Sequence, residues 1–343
     1  MVENLSYVKS LNTIRAFAVA FVMFQHWLPL SHHLRKLQLG SLGVDIFFTL
    51  SGFLITGILL SKLTGNNDIF SRVSLLNYRN FIARRILRIV PAYALALFLT
   101  WLLMKYLPSF EQSAWKWLIS FTTNWHVIQL DYWPSTIAHF WSLAVEEQYY
   151  LIWPMLLFFF KGRSFPLLAL ILTALAVFVR YQARHHNIFD ASTFACLDSF
   201  AMGGLFAWYR HQNSRNELTP INYLPWLALV LFLLVSFGNY LSIDFFINQR
   251  RLLGSFVGIL LIVFLVSRND YNRSSSFFWE NPFLLETGKI SYGIYLFHLL
   301  VPDIPGLHWA AGALIKAVIV FGFSWLSWNY FEKPILAYKK YFP

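Results

Sequence analysis

Long apolar runs, separated by short polar segments, dominate this sequence. The main runs lie at 11–30, 43–61, 89–107, 140–160, 165–181, 193–209, 223–241, 251–267, 284–301 and 309–330. Each is near the roughly 20 residues that an α-helix needs to cross the hydrocarbon core of a bilayer. The pattern therefore predicts an all-α, polytopic membrane protein with about ten transmembrane helices. The apolar stretch 115–128 is predicted to be a span or a short re-entrant or interfacial piece.

The basic residues indicate how the predicted helices are oriented. Lys9 precedes the first run, and most Lys and Arg residues outside the runs fall in segments that would then be cytoplasmic. This is the positive-inside bias, and it predicts that both termini are cytoplasmic. The first run has no small-residue cleavage site after it, so we interpret it as a signal anchor.

The composition supports a membrane protein and excludes other classes. The chain is 57% hydrophobic and 13% charged, against roughly 25% charged for a soluble domain. We attribute the net charge of +11 to topology and to anionic lipids or ligands rather than to nucleic acid. One cysteine rules out an internal disulfide. We expect a single integral-membrane domain over 1–343, without an appended soluble domain.

Arg15 and His26 lie in the first apolar run, eleven positions apart. Eleven helical steps make three turns plus roughly 20°, so both side chains share one helix face about 16 Å apart. Ionisable groups inside a membrane helix are costly and by default mark a functional site. The pair is therefore the first candidate for chemistry.

Asp45 opens the second span near its predicted outer end, at a depth similar to that of His26. A buried carboxylate beside an imidazole raises the basicity of the imidazole and fixes its tautomer. The alternative is that Asp45 caps its helix and His26 makes an ordinary interhelical hydrogen bond. With Arg15 on the same face, we favour a general-base role for His26 assisted by Asp45.

The fourth span places Glu146 roughly 10 Å inside the outer boundary. The neighbouring Glu147 points about 100° away, so only one of the two acids readily faces the interior. We select Glu146 as a catalytic candidate. A structural role, in which Glu146 pairs with a membrane arginine and holds helices together, has equal weight. Trp141 and Ser142, earlier in the same span, are candidates for substrate binding.

Arg84, Arg85 and Arg88 lie in the segment before the third span, which we read as a cytoplasmic loop. Arg84 and Arg88 fall four positions apart and would share a helix face. Arginine guanidinium groups suit phosphate oxygens. From charge alone, however, the positive-inside signal is the stronger explanation of this cluster.

Tyr292, Tyr295 and His298 recur every three residues in the ninth span. They either line a polar cavity or bond neighbouring helices, and we expect them to contribute to substrate binding. The pairs His32–His33 and His185–His186 lack an acidic or cysteine partner at ligand spacing, so no metal site is expected.

Six sequence blocks together resemble the membrane acyltransferase family 3, the integral-membrane O-acyltransferases of bacterial surface glycans. The blocks, which cover nearly the whole chain, are Arg15-x10-His26, Gly43-Val44-Asp45-x-Phe47-Phe48-x-Leu50-Ser51-Gly52-Phe53, Phe81-x-x-Arg84-Arg85-x-x-Arg88-Ile89-x-Pro91, His139-x-Trp141-Ser142-Leu143-x-Val145-Glu146, Ser291-Tyr292-Gly293-x-Tyr295-x-x-His298 and Glu332-Lys333-Pro334.

The resemblance implies transfer of an acyl group, usually acetyl, from a cytoplasmic coenzyme A thioester to a sugar hydroxyl. It also implies that Arg15 and His26 are the catalytic pair, that Arg84 and Arg88 are the basic motif, and that Glu146 is the membrane carboxylate. Combining this with the predicted depths, we expect Arg15 and the three arginines 84, 85 and 88 to bind the donor.

The remaining expectations concern partners and location. We expect no permanently bound cofactor; acyl-CoA, most commonly acetyl-CoA, serves as donor cosubstrate. The expected partners are then the donor, a sugar acceptor and the lipid bilayer of the bacterial cytoplasmic (inner) membrane. The sequence leaves both a monomer and a homo-oligomer open. A transporter or flippase of a lipid-linked glycan is the rival function, because membrane charges also mark substrate pathways.

Overall fold

The computed structural model describes residues 8–29, 31–63, 72–104, 112–134, 137–160, 162–183, 189–213, 221–270, 277–303 and 305–342. These residues form helices and turns and contain no β-strand, which confirms the predicted all-α class. The helices are α1 Leu11–Trp27, α2 Leu39–Leu63, α3 Arg72–Leu103, α4 Trp115–Ile119, α5 Thr123–Leu130, α6 Phe140–Phe159, α7 Phe165–Gln182, α8 Leu197–Gln212, α9 Leu224–Tyr240, α10 Asp244–Asp270, α11 Pro282–Lys289, α12 Ser291–Phe297, α13 Trp309–Ser327 and α14 Lys333–Leu336.

Several helices are long and apolar enough to cross a membrane. By length and composition, five qualify in the described residues: His33–Lys62, Leu75–Leu103, Gly162–Gln182, Asp244–Asn269 and Trp309–Tyr341. Helix α9 is apolar but has 17 residues, which rise about 25 Å against a hydrocarbon core of roughly 30 Å. The protein is therefore a multi-pass membrane protein. That the chain has ten spans, and that both termini are cytoplasmic, stay predictions.

Two elements differ from the sequence-based expectation. The arginine-rich segment before the third span is not a loop, because α3 begins at Arg72 and includes it. Arginine is a good helix former, so the fall in hydropathy did not mark a helix boundary. The ninth predicted span is two short helices, α11 and α12, separated at Ile290.

The contacts divide the chain into two compact units. Unit 1 comprises Met1–Ser61 and Phe159–Lys289, and unit 2 comprises Lys62–Phe158 and Ile290–Pro343. The break between α11 and α12 coincides with this boundary. The expectation of one domain over the whole chain stays a prediction.

In unit 1, α2 packs closely on α8. A Cβ atom at Gly203 would lie 1.9 Å from the Thr49 carbonyl oxygen, and one at Gly52 would lie 2.3 Å from the Phe200 carbonyl oxygen. Small residues at helix contacts allow backbones to approach this closely. Next to them, the rings of Phe48 and Phe200 stack with centroids 4.8 Å apart. This packing fixes the position of α2, which carries Asp45.

Unit 2 contains α3 to α6 up to residue 158, together with the C-terminal helices. The Tyr292 hydroxyl donates to the Ile89 carbonyl oxygen at 3.0 Å, which connects α12 to α3. After α13 the chain continues as a π-helical turn, Trp328–Glu332. Such turns are rare and often occur at functional positions. Here the turn brings Trp328 and Glu332 toward the arginines of α3.

Candidate active site

Arg15 and His26 both lie on α1, as the spacing predicts. Arg15 Nη1 donates to Asn12 Oδ1 at 2.6 Å, one turn earlier on the same helix. His26 lies in the last turn. Beyond it, Arg35 Nη1 donates to the carbonyl oxygens of Gln25 and Leu28 at 3.0 and 2.9 Å. A guanidinium group therefore satisfies backbone acceptors at the helix end beside His26.

Asp45 is fully buried on α2 and forms an ion pair with Arg251 of α10. Arg251 Nη1 donates to Asp45 Oδ1 at 2.7 Å, and the two side chains are 3% and 0% exposed. The other carboxylate oxygen, Oδ2, is buried without a hydrogen-bond partner among the described residues. It lies against Gly254, where a Cβ atom would come within 3.0 Å of it. That Asp45 orients His26 stays a prediction, and its observed ionic partner is Arg251.

The Asp45–Arg251 pair belongs to a larger charged network in unit 1. Arg251 Nη2 also donates to the Asp190 backbone oxygen at 2.9 Å, and Arg250 Nη2 donates to Asp190 Oδ2 at 2.7 Å. Burial raises the pKa of the Asp190 carboxyl, but the guanidinium groups of Arg250 and Arg251 outweigh it, and the pKa lies below its usual value. Asp190 is therefore ionised at neutral pH.

A second buried pair lies in the same unit. Arg180 of α7 donates to Asp198 Oδ2 of α8 at 2.6 Å, and the Ser199 backbone amide donates to Asp198 Oδ1. Charges this deeply buried occur almost only in pairs. Sequence reasoning missed these partners because each pair joins residues on different helices. The sequence did contain one signal of these buried pairs. Arg180 and Arg251 are isolated charges next to or inside apolar runs, and such charges need a partner.

The three arginines of α3 have different surroundings in unit 2. Arg84 Nε donates to the Phe342 carbonyl oxygen. The Arg88 guanidinium lies over the Trp328 ring, 4.8 Å from its centroid. The Arg85 guanidinium lies between the rings of Phe81 and Tyr150, at 5.5 and 5.6 Å from their centroids. That these arginines bind the donor stays a prediction.

Arg85 also lines a cavity of about 420 Å³ in unit 2. Its walls come from the N-terminal half of α3, from α6 and from the Ser120–Thr122 turn between α4 and α5. Glu147 of α6 faces this cavity, and its Oε1 is buried without a hydrogen-bond partner among the described residues. The cavity thus holds one guanidinium and one carboxyl group.

The predicted acid Glu146 has a different environment from its neighbour. The Tyr150 hydroxyl, one turn along α6, donates to Glu146 Oε1. As expected for adjacent helical positions, the two acids face different surroundings. The one that lines the cavity is Glu147, which sequence reasoning did not select. The catalytic role of Glu146 stays a prediction.

The predicted substrate-binding residues form hydrogen bonds and ring contacts inside unit 2. The hydroxyls of Ser142 and Tyr295 lie 2.5 Å apart, and the Tyr295 hydroxyl donates to the His139 carbonyl oxygen at 2.7 Å. His298 Nδ1 lies 2.7 Å from the Tyr295 carbonyl oxygen. A carbonyl oxygen only accepts, so Nδ1 of His298 carries the proton. The Trp141 ring packs edge-on against Trp133.

These contacts, with the Tyr292 bond to α3, connect the start of α6, α12 and α3. Of the two alternatives left open by the sequence, bonding between neighbouring elements is thus observed. Substrate binding by the same groups stays a prediction. In the described part of the chain, no group of three His, Cys, Asp or Glu residues could hold a metal ion. The His185–His186 pair lies outside the described residues.

Comparisons with known proteins show the family of the chain. The model of acyltransferase family 3, described as an acyltransferase domain, matches residues 8–331. The chain therefore belongs to this family of acyltransferase domains.

Two similar proteins have more specific names. The peptidoglycan O-acetyltransferase OatA of Listeria monocytogenes is 28% identical over 96% of this chain and 56% of its own length. The O-acetyltransferase OatA of Staphylococcus aureus is 23% identical over 96% of this chain and 57% of its own length. The chain thus spans about half the length of the curated relatives it matches. No solved structure matches it.

Proposed function

We propose that this chain is a membrane O-acyltransferase that moves an acyl group, expected to be acetyl, from acyl-CoA to a hydroxyl of a cell-surface glycan or lipid-linked sugar. The family match over 8–331 carries this proposal. The relative from Listeria monocytogenes supports peptidoglycan as the acceptor class, because its name specifies peptidoglycan O-acetylation. The bacterial cytoplasmic membrane is the corresponding location.

The proposed reaction exchanges a thioester for an oxygen ester. The acceptor hydroxyl oxygen attacks the thioester carbonyl carbon, the carbon–sulfur bond breaks, and coenzyme A leaves as a thiol. His26 would take the hydroxyl proton as general base and return it to the leaving sulfur. In a two-step route, His26 would itself carry the acyl group before the acceptor attacks. Asp45 and Glu146 are the proposed assisting carboxylates.

The structure supports this assignment of roles in part. His26 lies at one end of α1, and Arg15 lies about 16 Å along the same helix. In our proposal Arg15 lies along the path by which the donor enters, and His26 lies where the acyl group is transferred. Arg84, Arg85 and Arg88 would bind the donor phosphates, since guanidinium groups bind phosphate oxygens in a fork.

The test is a comparison of His26→Ala with His308→Ala in the purified full chain, reconstituted into liposomes. Transfer of labelled acetyl from acetyl-CoA to peptidoglycan fragments is measured, and mass spectrometry identifies the ester product. Loss of a general base is expected to slow transfer by about 10²- to 10⁴-fold. His308 is exposed, so its removal should leave transfer unchanged.

The folded state is checked through the one cysteine of the sequence. Cys196 is buried, so a thiol-reactive dye labels it only when unit 1 opens. A folded His26→Ala variant with near-normal turnover contradicts the catalytic role of His26. A wild-type protein that transfers no acetyl to any glycan fragment contradicts the proposed function itself.

A further inference from the structure

Helix α9 carries two buried polar side chains whose hydrogen-bonding atoms are left over. Ser236 and Asn239 are 5% and 4% exposed. Ser236 Oγ and both polar atoms of the Asn239 carboxamide, Oδ1 and Nδ2, have no hydrogen-bond partner among the described residues. The rest of α9 is apolar, and polar side chains in such a helix are costly and tend to have a function. These three atoms therefore call for a partner from elsewhere.

Other buried hydroxyls of unit 1 find a partner in their own helix. A serine or threonine hydroxyl in a helix can donate to the carbonyl oxygen four residues earlier. Thr49 Oγ1 and Ser255 Oγ both do so, at 2.8 Å. The Ser236 hydroxyl makes no such bond among the described residues, so it stays available for another group.

Two ring contacts show how α9 lies relative to α1. The rings of Phe21 on α1 and Phe232 on α9 stack with centroids 5.0 Å apart. Later in both segments, His33 packs edge-on against Tyr240, with centroids 6.3 Å apart. Because earlier residues meet earlier ones and later residues meet later ones, the two helices run in the same direction. All four residues belong to unit 1.

This arrangement places the leftover polar atoms beside the end of α1. Ser236 and Asn239 follow Phe232 by four and seven positions, so they share its helix face, which is turned toward α1. Measured from the Phe21–Phe232 contact, they lie about 6 and 10 Å further along α9. His26 lies about 7.5 Å further along α1 than Phe21. The proposed general base and the two polar side chains are therefore at the same level.

The end of α1 contributes a further leftover acceptor at this level. Gln25 Oε1 is buried without a hydrogen-bond partner among the described residues, while Gln25 Nε2 donates to the Arg35 carbonyl oxygen at 3.0 Å. Arg35 lies on the 3-10 helix His33–Leu37, which packs on α9, and its guanidinium is close enough to His26 to act on it electrostatically. Polar groups from three elements thus surround the end of α1 that carries His26.

We propose that Ser236 and Asn239 bind the acceptor sugar and hold one of its hydroxyls toward His26, an inference that rests on the proposed function. A carboxamide presents an acceptor and two donors side by side. Asn239 therefore matches two adjacent polar substituents of a sugar ring, either neighbouring hydroxyls or a hydroxyl next to an acetamido group. The Ser236 hydroxyl, which both donates and accepts, matches one more hydroxyl. Both are substrate-binding residues that orient the nucleophile, and the proton transfer itself belongs to His26.

Steady-state kinetics of the full chain in liposomes test this proposal, with acetyl-CoA and peptidoglycan fragments varied in turn. Asn239→Leu replaces the carboxamide by an apolar side chain of similar size, and Ser236→Ala removes only the hydroxyl. The controls are Asn213→Leu and Ser267→Ala, also in unit 1. The side chains of Asn213 and Ser267 each donate to a backbone carbonyl oxygen, so neither is left over.

The expected result is a selective loss of acceptor binding. Losing the bonds of the carboxamide should raise the acceptor KM about tenfold in Asn239→Leu, and losing one hydroxyl should raise it about threefold in Ser236→Ala. The KM for acetyl-CoA should not change, and neither control should change either KM. Because both variants remove buried polar atoms without partners, the midpoint of Cys196 labelling on heating should not fall. A merely structural role would lower that midpoint and leave the acceptor KM unaltered.

Two tetrasaccharides used as competitors identify the substituents that Asn239 binds. One is built of N-acetylglucosamine and carries acetamido groups, and the other is built of glucose and carries hydroxyls only. If Asn239→Leu weakens inhibition by both equally, the carboxamide binds neighbouring hydroxyls. If it weakens only inhibition by the N-acetylglucosamine tetrasaccharide, the carboxamide binds the acetamido group. Inhibition that Asn239→Leu leaves unchanged for both sugars counts against the proposal.

The remaining outcomes separate this inference from the proposed function. An acceptor KM that stays at the wild-type value in Ser236→Ala and in folded Asn239→Leu refutes the inference alone, since the wild type still transfers acetyl. If Asn239→Leu does not fold, Ser236→Ala decides by itself, because alanine is a good helix former. Equal rises in the KM for donor and acceptor, with a lower labelling midpoint, also refute the inference. A wild type that transfers no acetyl contradicts the proposed function instead.

Discussion

Asp45 and Arg251 form a buried ion pair whose energetics determine how each residue responds to substitution. Removing one partner leaves an uncompensated charge in a low-dielectric interior, at a cost of about 3–5 kcal/mol. Replacing both with apolar residues removes that penalty. We therefore expect Asp45→Leu and Arg251→Met to destabilise unit 1 strongly when alone, and the double variant to lose less than their sum. Thermal labelling of Cys196 measures this.

The same variants separate a structural from a functional role of Asp45. If the double variant recovers both stability and acetyl transfer, Asp45 serves only to hold α2 against α10. Recovery of stability without transfer indicates that the carboxylate acts in the reaction. The control is the exposed pair Glu286–Lys289, whose double alanine variant should change stability little because surface pairs contribute about 0–1 kcal/mol. Additive single effects at Asp45 and Arg251 would contradict the coupling.

At the residue scale, the sequence identified buried charges but not their partners. Asp45 stood out as an acid in an apolar helix, yet its partner lies 206 positions away, and no periodicity connects them. The choice between Glu146 and Glu147 failed to select the cavity-lining acid for a related reason. Which of two adjacent side chains faces a cavity depends on the rotation of α6, and that rotation is set by packing.

At the element scale, the contact between α2 and α8 depends on residues without side chains. A methyl group at Gly203 would lie 1.9 Å from the Thr49 carbonyl oxygen, so the helices must separate to accept it. We expect Gly203→Ala to destabilise the protein by about 1–3 kcal/mol, as for other overpacked contacts. The midpoint of Cys196 labelling on heating should fall accordingly.

Gly322→Ala provides the matched control for this helix contact. Gly322 also lies inside a helix, α13, but a Cβ atom there meets nothing within 4 Å. Alanine is favoured over glycine in a helix by up to about 1 kcal/mol, so this variant should be neutral or slightly stabilising. Equal effects at Gly203 and Gly322 would mean that helix propensity, and not the α2–α8 contact, determines the result.

Hydropathy predicted most of the helices, but it did not predict where one apolar run divides into two helices. Each apolar run corresponds to a helix or a pair of helices in the structure. The stretch 115–128 is two short helices, α4 and α5, joined by the turn at Phe121. The turn at Phe121 has no Gly or Pro within three residues, and Gly288, two residues before the break at Ile290, lies inside an apolar run that reads as continuous. Tertiary contacts, such as the stacking of Tyr93 on Phe121, hold the chain in these conformations.

At the scale of the whole molecule, the distribution of charge predicts the orientation. Lys340 lies near the C-terminus, in a basic segment predicted to be cytoplasmic. Lys36 lies in the 3-10 helix His33–Leu37, between α1 and α2, in a segment predicted to be outside. Both are exposed. The predicted orientation matters for function, because it would place the end of α1 that carries His26 toward the outer face. An external glycan could then reach the proposed base.

Single-cysteine labelling in intact cells tests this orientation. In a Cys196→Ala background, which removes the one native thiol, Lys36→Cys should react with a membrane-impermeant maleimide added outside. Lys340→Cys should react only after the membrane is permeabilised, because the positive-inside bias predicts that this segment is cytoplasmic. Labelling of Lys340→Cys but not of Lys36→Cys in sealed cells would contradict this prediction and indicate the opposite topology. His26 would then face the cytoplasm, and the acyl acceptor would have to be a precursor available on that side.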